Sequence, residues 1–249
     1  MIVAASTQCF PDLSLAEALS RMVDLEFTSV EIDLDENGRN LKPSTVADQF
    51  DKALEICRDT RRLTPVAYNV NITATGEEYY RHFAAICRLA KETKVVTIVM
   101  PSGEIGTPFN EEVERLQRLV KLASIEGALV ALKTETGRVS QDPDTVTVLC
   151  DHVKGLGITL DPSHLIYGPH QGGPYEQLLK YVYHVHLRDT KKDELQVRVG
   201  QGEVEYGRLV TLLEKHKYGR ALCVHITPMP EVDHPAEMRK LRLLLESLL

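Results

Sequence analysis

Leu129–His164 carries LVALKTETG (residues 129–137), then a helical run, then GITLDPSH (residues 157–164). Val130, Leu132 and Thr134 alternate with Ala131, Lys133 and Glu135, and a strand sends alternate side chains to opposite faces. Lys133 and Glu135 therefore share one face near the end of a strand. The second strand runs out in Asp161, with His164 just beyond it. Buried strands that finish in charged residues deliver those charges to a site. This is the pattern of a (β/α)8 barrel, whose C-terminal strand ends build the active site.

The rest of the chain extends the pattern. Its 249 residues match the ~250 typical of one such barrel, and no linker or repeat divides them, so residues 1–249 read as one domain. Strands are expected at Ile2–Ser6, Ser29–Leu34, Thr64–Asn71, Val95–Met100, 129–135, 157–161, Tyr183–Leu187 and Ala221–Ile226. Helical spacing falls between them, at residues 15–23, Ser44–Arg61, Glu77–Glu92, Glu111–Ile125, Asp144–Lys154, Tyr206–His216 and Ala236–Leu249. Ser14 and Glu17 have the spacing of a capping box. HLIYGPHQGGP, rich in glycine and proline, reads as a loop. Strands alternating with helices make an α/β fold, and the single TIM barrel is its first choice. The rival, a doubly wound sheet, should show a glycine-rich turn after its first strand, and none occurs.

Composition excludes several classes. A net charge of −7 disfavours nonspecific attraction to nucleic acid or to an anionic membrane. No apolar run approaches the ~20 residues needed to span a bilayer. MIVAASTQ lacks the basic flank of a signal peptide. The five cysteines are odd in number and widely spaced, as expected of reduced thiols in a cytoplasmic protein. The oligomeric state stays open; a homo-oligomer is compatible with the sequence.

Polar residues gather at the expected strand ends. Strand five offers Lys133 and Glu135, strand six Asp161 and then His164, strand seven His184 and His186 and then Asp189, strand eight His225. Glu31, Asn69 and Asn71 stand on strands two and three. Barrel interiors are otherwise filled with Val, Ile and Leu, so such a set at neighbouring ends points to a polar site. His152, His216 and His234 read as surface residues. The GQG of residues 200–202 reads as a turn, or as a cradle for phosphate.

The chain resembles the xylose-isomerase-like TIM barrels, a group of sugar-phosphate isomerases and epimerases that also includes endonuclease IV. The pieces that carry the resemblance are VEIDL (30–34), LDPSH (160–164), HVHLRD (184–189) and VGQGEVEYGRLV (199–210). The resemblance implies a divalent metal, Mn, Zn or Mg, held by glutamate, aspartate, histidine and glutamate at the ends of strands five to eight. In the family's ketose epimerases the two glutamates also move the protons. Asp161 and His186 match the middle ligands, and His164 matches the family's following histidine. Lys133 and His225 stand in the two glutamate positions.

Two arrangements follow from that departure. In one, Glu135 reaches the ion and completes a set with Asp161, His186 and His225. In the other, the ammonium of Lys133 takes the place of the ion and pairs with Asp161, since a fixed cation repels a divalent one. Two functional readings go with them. The first is an isomerase or epimerase that removes a proton next to a carbonyl, with Lys133, Glu135, His164 and His225 as catalytic candidates. Its ligand would be a small sugar-like or hydroxy-carbonyl compound, bound with help from Glu31, Asn69, Asn71 and Asp189. The second is a degenerate barrel that binds such a ligand without turnover. A nuclease like endonuclease IV would need histidines at the third and fourth strand ends, which read NVNIT and VMPSG instead. If Asp161 serves only the site, Asp161→Asn should leave stability unchanged or raised.

Overall fold

The apolar runs form the strands β1 (Ile2–Ser6), β2 (Ser29–Asp35), β3 (Thr64–Asn71), β4 (Thr97–Met100), β5 (Leu129–Lys133), β6 (Gly157–Leu160), β7 (Val182–Leu187) and β8 (Ala221–Val224). The computed structural model describes residues 1–249. All neighbouring strands run parallel in chain order, and β8 closes on β1 from Ile2 opposite Ala221 to Ala5 opposite Val224. The fold is a single closed (β/α)8 barrel.

The helices are α1 (Leu15–Asp24), α2 (Pro43–Asp48), α3 (Phe50–Arg58), α4 (Gly76–Thr93), α5 (Phe109–Ile125), α6 (Pro143–His152), α7 (Pro162–Tyr167), α8 (Tyr206–Lys215) and α9 (His234–Glu246). Ser14 and Glu17 form the expected capping box at α1. The run expected as one helix over Ser44–Arg61 is two. Gln49, at φ −134°, leaves helical geometry between α2 and α3. The expected loop after Asp161 opens with α7, because Asp161 caps it and Pro162 fills its first position. His234 is not a surface residue. It is buried, and its Nε2–H donates to the carbonyl of Cys9 at 2.7 Å. No helix is long and apolar enough to cross a membrane.

Two layers of core result. Outward-facing strand residues such as Ile32, Tyr68, Ile98, Leu132, Ile158, Val185 and Leu222 join the helices in one large apolar cluster. The inside of the barrel is filled differently. Ala4, Ala221 and Cys223 make one small cluster, and Ala67, Val99 and Ala131 another. These are smaller than the Val, Ile and Leu usual inside such barrels. The space they leave is taken by Glu31, His184 and His186, all buried.

Two register shifts aim those residues. Between Val30 and Glu31 the partner on β3 jumps from Pro65 to Ala67. Proline cannot donate to the ladder, and Val66 is passed over. On β7 the partner jumps from Val182 to His184, passing over Tyr183. The Tyr183 ring lies against Gly157, where a Cβ would overlap it. The five cysteines are all buried free thiols.

Candidate functional site

At the C-terminal ends of β5 to β8 lies a cleft of about 170 Å³, lined by Gln8, Lys133, Thr134, Glu135, Asp161, His164, His186, Arg188, Leu195, His225 and Thr227. The strand ends thus bring together Glu135, Asp161, His186 and His225, as the alternation of each strand requires. β5 stops at Lys133 rather than Glu135, and β8 at Val224 rather than Ile226. Backbone pairing reaches one residue further in each, from Thr134 N–H to Thr159 and from His225 N–H to Leu187, and Glu135 lies beyond it. Thr134 marks the change: its Oγ accepts the backbone N–H of Asp161 at 2.9 Å.

Asp161 is buried at the centre of the cleft wall. Its Oδ1 accepts the N–H of Ser163 at 3.0 Å and also the Ser163 hydroxyl. Its Oδ2 accepts from Arg188 Nη2 at 3.1 Å. Burial pushes its carboxyl up, but Arg188, His164 and Ser163 together outweigh burial and hold it below the ordinary value of 3.8. The expected Lys133–Asp161 pair does not form: the cations within ion-pair reach of Asp161 are Arg188 and, when protonated, His164, with Nε2 at 3.8 Å. Lys133 faces the cleft and ion-pairs with no carboxylate. Both cations come from strands that flank β6, but it is Arg188, two residues beyond His186, whose guanidinium reaches Asp161.

Arg188 Nη2 also donates to Nδ1 of His225 at 2.7 Å. The other nitrogen of His225 lies 2.6 Å from Gln8 Oε1, so its Nε2–H donates there. Both ring nitrogens are engaged and the tautomer is fixed. Burial, with the nearby His186 and Arg188, drives its pKa well below the ordinary 6.5. His225 is therefore a neutral strut with no free lone pair, an arrangement that does not favour its expected role as a base. His164 is similarly committed on one side. Its Nδ1 accepts the N–H of Thr136 at 3.1 Å, leaving Nε2–H toward the cleft; burial lowers its pKa. Among the expected bases, Glu135 alone presents a free carboxylate edge. Arg138 Nε is 3.1 Å from its Oε2, and this N–H does not aim at the oxygen.

Asp161, His186 and His225 each bring a ligand atom within 4.8 Å of the others, but a guanidinium engages two of the three, so the divalent metal implied by the resemblance does not fit them as they stand. Asp161 and His225 would have to bind the ion through atoms that Arg188 now touches. The third member, His186, turns its Nε2 away to Glu31 Oε2 at 2.8 Å. A guanidinium already holds the position between Asp161 and His225, with Lys133 beside it. The arrangement favours neither the metal roles of Asp161 and His186 nor the completed set with Glu135.

The four expected ligand-binding residues lie outside the cleft. Glu31 sits below it in the barrel, fully buried. Asn69 donates to Asp33 Oδ1 at 2.7 Å and to Gln8 Oε1 at 3.1 Å. Asn71 donates to Asp35 Oδ1 at 3.0 Å and borders a separate groove of about 620 Å³. Asp189 accepts the backbone N–H groups of Gly200 at 2.7 Å, Gly202 at 3.0 Å and Thr190 at 3.1 Å. The GQG turn thus points its amides at this carboxylate rather than at a phosphate. A Cβ at Gly202 would collide with Asp189.

Arg188, Gln8 and Asp33 are members of the site that the strand-end reading did not select. Alternation carries a signal for each: Arg188 follows His184 and His186 at intervals of two, Gln8 follows Ala4 and Ser6, and Asp33 follows Glu31. Burial, with Asp35 and Glu31 nearby, pushes the Asp33 carboxyl up to about 7. Hydrogen bonds run unbroken from Asp161 through Arg188, His225, Gln8 and Asn69 to Asp33.

This network sets the stability consequence of Asp161. Asp161→Asn leaves Arg188 buried with half a partner, so it is expected to destabilise by about 3–5 kcal/mol, as when one member of a buried pair is removed. The buried pair with Arg188 thus argues against an unchanged or raised stability. Because the folded pKa is depressed, the contribution of Asp161 is present above the unfolded value and lost as pH falls through the folded one. Urea midpoints measured from pH 7 down to pH 3 should therefore converge for the wild type and Asp161→Asn.

Comparison with known proteins agrees with the fold. A xylose isomerase-like TIM barrel protein from Mycobacterium smegmatis, in complex with magnesium, superposes with a TM-score of 0.79 at 14% identity, over 100% of this chain and 98% of that one. A D-tagatose 3-epimerase-like protein gives 0.77 at 16% identity, over 100% and 98%. The IOLI protein with a bound zinc atom gives 0.75 at 17% identity, again over 100% and 98%. No curated protein matches the chain by sequence. The family model for the xylose isomerase-like TIM barrel matches residues 19–247. With the closed barrel and the polar strand ends already in place, the chain belongs to the xylose isomerase-like TIM barrel family.

Proposed function

We propose that the cleft binds a small hydroxy-carbonyl compound of the sugar class and interconverts its isomers or epimers by moving the proton next to the carbonyl. One observation carries this reading: the unengaged oxygen of Glu135, whose other oxygen pairs with Arg138, and an ammonium without a carboxylate partner, Lys133, line the same cleft as the guanidinium of Arg188. Proton abstraction next to a carbonyl needs a base over the carbon and positive charge over the oxygen. Glu135 supplies the first. Lys133 supplies the second, with the Nε2–H of His164 as a further donor to the same oxygen. Arg188 is held by Asp161 and His225 and fixes the positive wall of the cleft.

Size narrows the ligand. A cleft of about 170 Å³ is below the ~300 Å³ at which drug-sized ligands begin, so it suits the reacting end of a short sugar. The groove bordered by Asn71 and Arg138 begins on the far side of the Glu135–Arg138 pair and offers room for the remainder.

The test is proton exchange. The protein, treated with chelator, is incubated in D2O with a panel of short ketoses and aldoses, free and phosphorylated. Deuterium at the carbon next to the carbonyl, followed by NMR, is the expected result. A ligand that raises the melting temperature but takes up no deuterium would favour the degenerate barrel. That second reading draws on His225, a neutral strut standing in one of the family's glutamate positions.

A further inference from the structure

Below the cleft, inside the barrel, four side chains with metal-binding chemistry converge from β2, β7 and β8. They are Glu31, His184, His186 and Cys223, and all are at most 1% exposed. One ligand atom from each lies within 4.8 Å of every other. Their present bonding is incomplete. His186 Nε2–H donates to Glu31 Oε2 at 2.8 Å. His184 Nε2 crowds the same oxygen at 2.9 Å but out of line for a hydrogen bond. Glu31 Oε1 is buried with no partner at all. A buried carboxylate oxygen without a partner is costly and rare.

We propose that this cluster is a binding site for a tetrahedral, thiophilic divalent cation, zinc by preference, which shares only His186 with the family position and lies below the place that Arg188 holds. The donor set is one carboxylate, two imidazoles and one thiolate, all ligands that Zn²⁺ takes at about 2.0–2.3 Å. Tetrahedral coordination at those lengths sets neighbouring donors about 3.3–3.8 Å apart. The contacts of His184 and His186 to Glu31 then open by about half an ångström. Cys223 Sγ moves in from at most 4.8 Å.

Charge favours the same conclusion. Glu31 carboxylate and Cys223 thiolate together carry two negative charges, and one divalent ion makes the buried site neutral. Without an ion, Cys223 stays a thiol and the carboxylate is left with its solvation only half replaced. Binding therefore releases the Cys223 proton and frees His184 and His186 to present lone pairs. Ala4 and Ala221 pack beside Cys223, and such small neighbours leave the ligand side chains as the bulk of the interior at this level. His184 also borders a depression of about 350 Å³ at the N-terminal end of the barrel, which gives an ion a route that avoids the cleft.

The experiment uses the full chain, purified without chelator or metal-affinity tag, and reads both elemental content and the spectrum after exchange into Co²⁺. The expected result is one bound ion per chain and a near-ultraviolet sulfur-to-cobalt charge-transfer band, which only a thiolate ligand gives. The band should persist in Asp161→Asn and vanish in Cys223→Ala. If Cys223→Ala does not fold, the wild-type spectrum decides alone. A wild-type protein that takes up no ion on refolding with Zn²⁺ or Co²⁺ overturns the proposal. So does a bound cobalt without the sulfur band, or an ion lost in Asp161→Asn and kept in Cys223→Ala. None of these outcomes bears on deuterium exchange in the cleft, so the two proposals stand or fall separately.

Discussion

Arg188→Met should destabilise the protein by about 3–5 kcal/mol, the range for breaking a buried ion pair from one side. The guanidinium is 9% exposed and the Asp161 carboxylate 4%, so little water can replace what is lost. Methionine keeps most of the buried stem but leaves Asp161 Oδ2 and His225 Nδ1 without their donor. Urea unfolding at pH 7 measures the change. The double substitution Arg188→Met, Asp161→Asn should recover part of it, since the unpaired charge is then gone. A loss below about 1 kcal/mol would mean that the pair behaves as an exposed one. The same residue controls metal affinity in the cleft. Lys133→Glu alone restores one carboxylate yet should gain no Mn²⁺ binding while Arg188 remains. Lys133→Glu with His225→Glu and Arg188→Met should gain it, as isothermal titration would show.

Glu135→Gln should lower the rate of deuterium exchange by about 10²–10⁴-fold, the usual contribution of a positioned base. Glutamine keeps the shape and removes the lone pair that takes the proton. Stability should hardly change, because the half-exposed pair with Arg138 is worth ~0–1 kcal/mol. The loss should fall on kcat rather than KM, since the carboxylate acts on the proton and not on ligand placement. An equal fall in His225→Gln with none in Glu135→Gln would reverse the assignment of base and strut.

The barrel itself was legible because strand alternation and helical spacing are written directly into the apolar residues. The strand-end reading found the right wall of the cleft through LVALKTETG and LDPSH. It erred where a side chain's partner lies on another strand. Lys133 reads as the cation nearest Asp161, but only the closed barrel shows that Arg188, from the next strand, gets there. The segment RDTKKDE looks like a solvated charged loop, and that masked Arg188, although an interval of two from His186 already aimed it inward. Asp189 reads as a ligand contact by its charge, yet its partners are the backbone amides of Thr190, Gly200 and Gly202, and no local pattern announces the last two. The tautomer of His225 depends on Gln8, at the opposite end of the chain. The bulge at Pro65 and the one at Tyr183 decide how deep Glu31 and His184 sit, and only the proline leaves a mark in the sequence.

The turn held by Asp189 has a practical side. Val197 N–H bonds to the carbonyl of Asp189 at 2.9 Å, and Glu203 N–H to that of Thr190 at 2.8 Å. The excursion between them is thus zipped at its base, while Lys191–Glu194 at its tip is exposed. Chain added at such a tip adds little closure entropy, because the ends are already pinned. Leu195, a step further on, roofs the cleft, and Gln196 fastens that roof to the backbone of Thr227 through two hydrogen bonds, at 2.6 and 2.8 Å. A fluorescent reporter grafted between Lys192 and Asp193 would therefore ride beside the entrance without entering it, a natural place to attach an optical readout of ligand arrival.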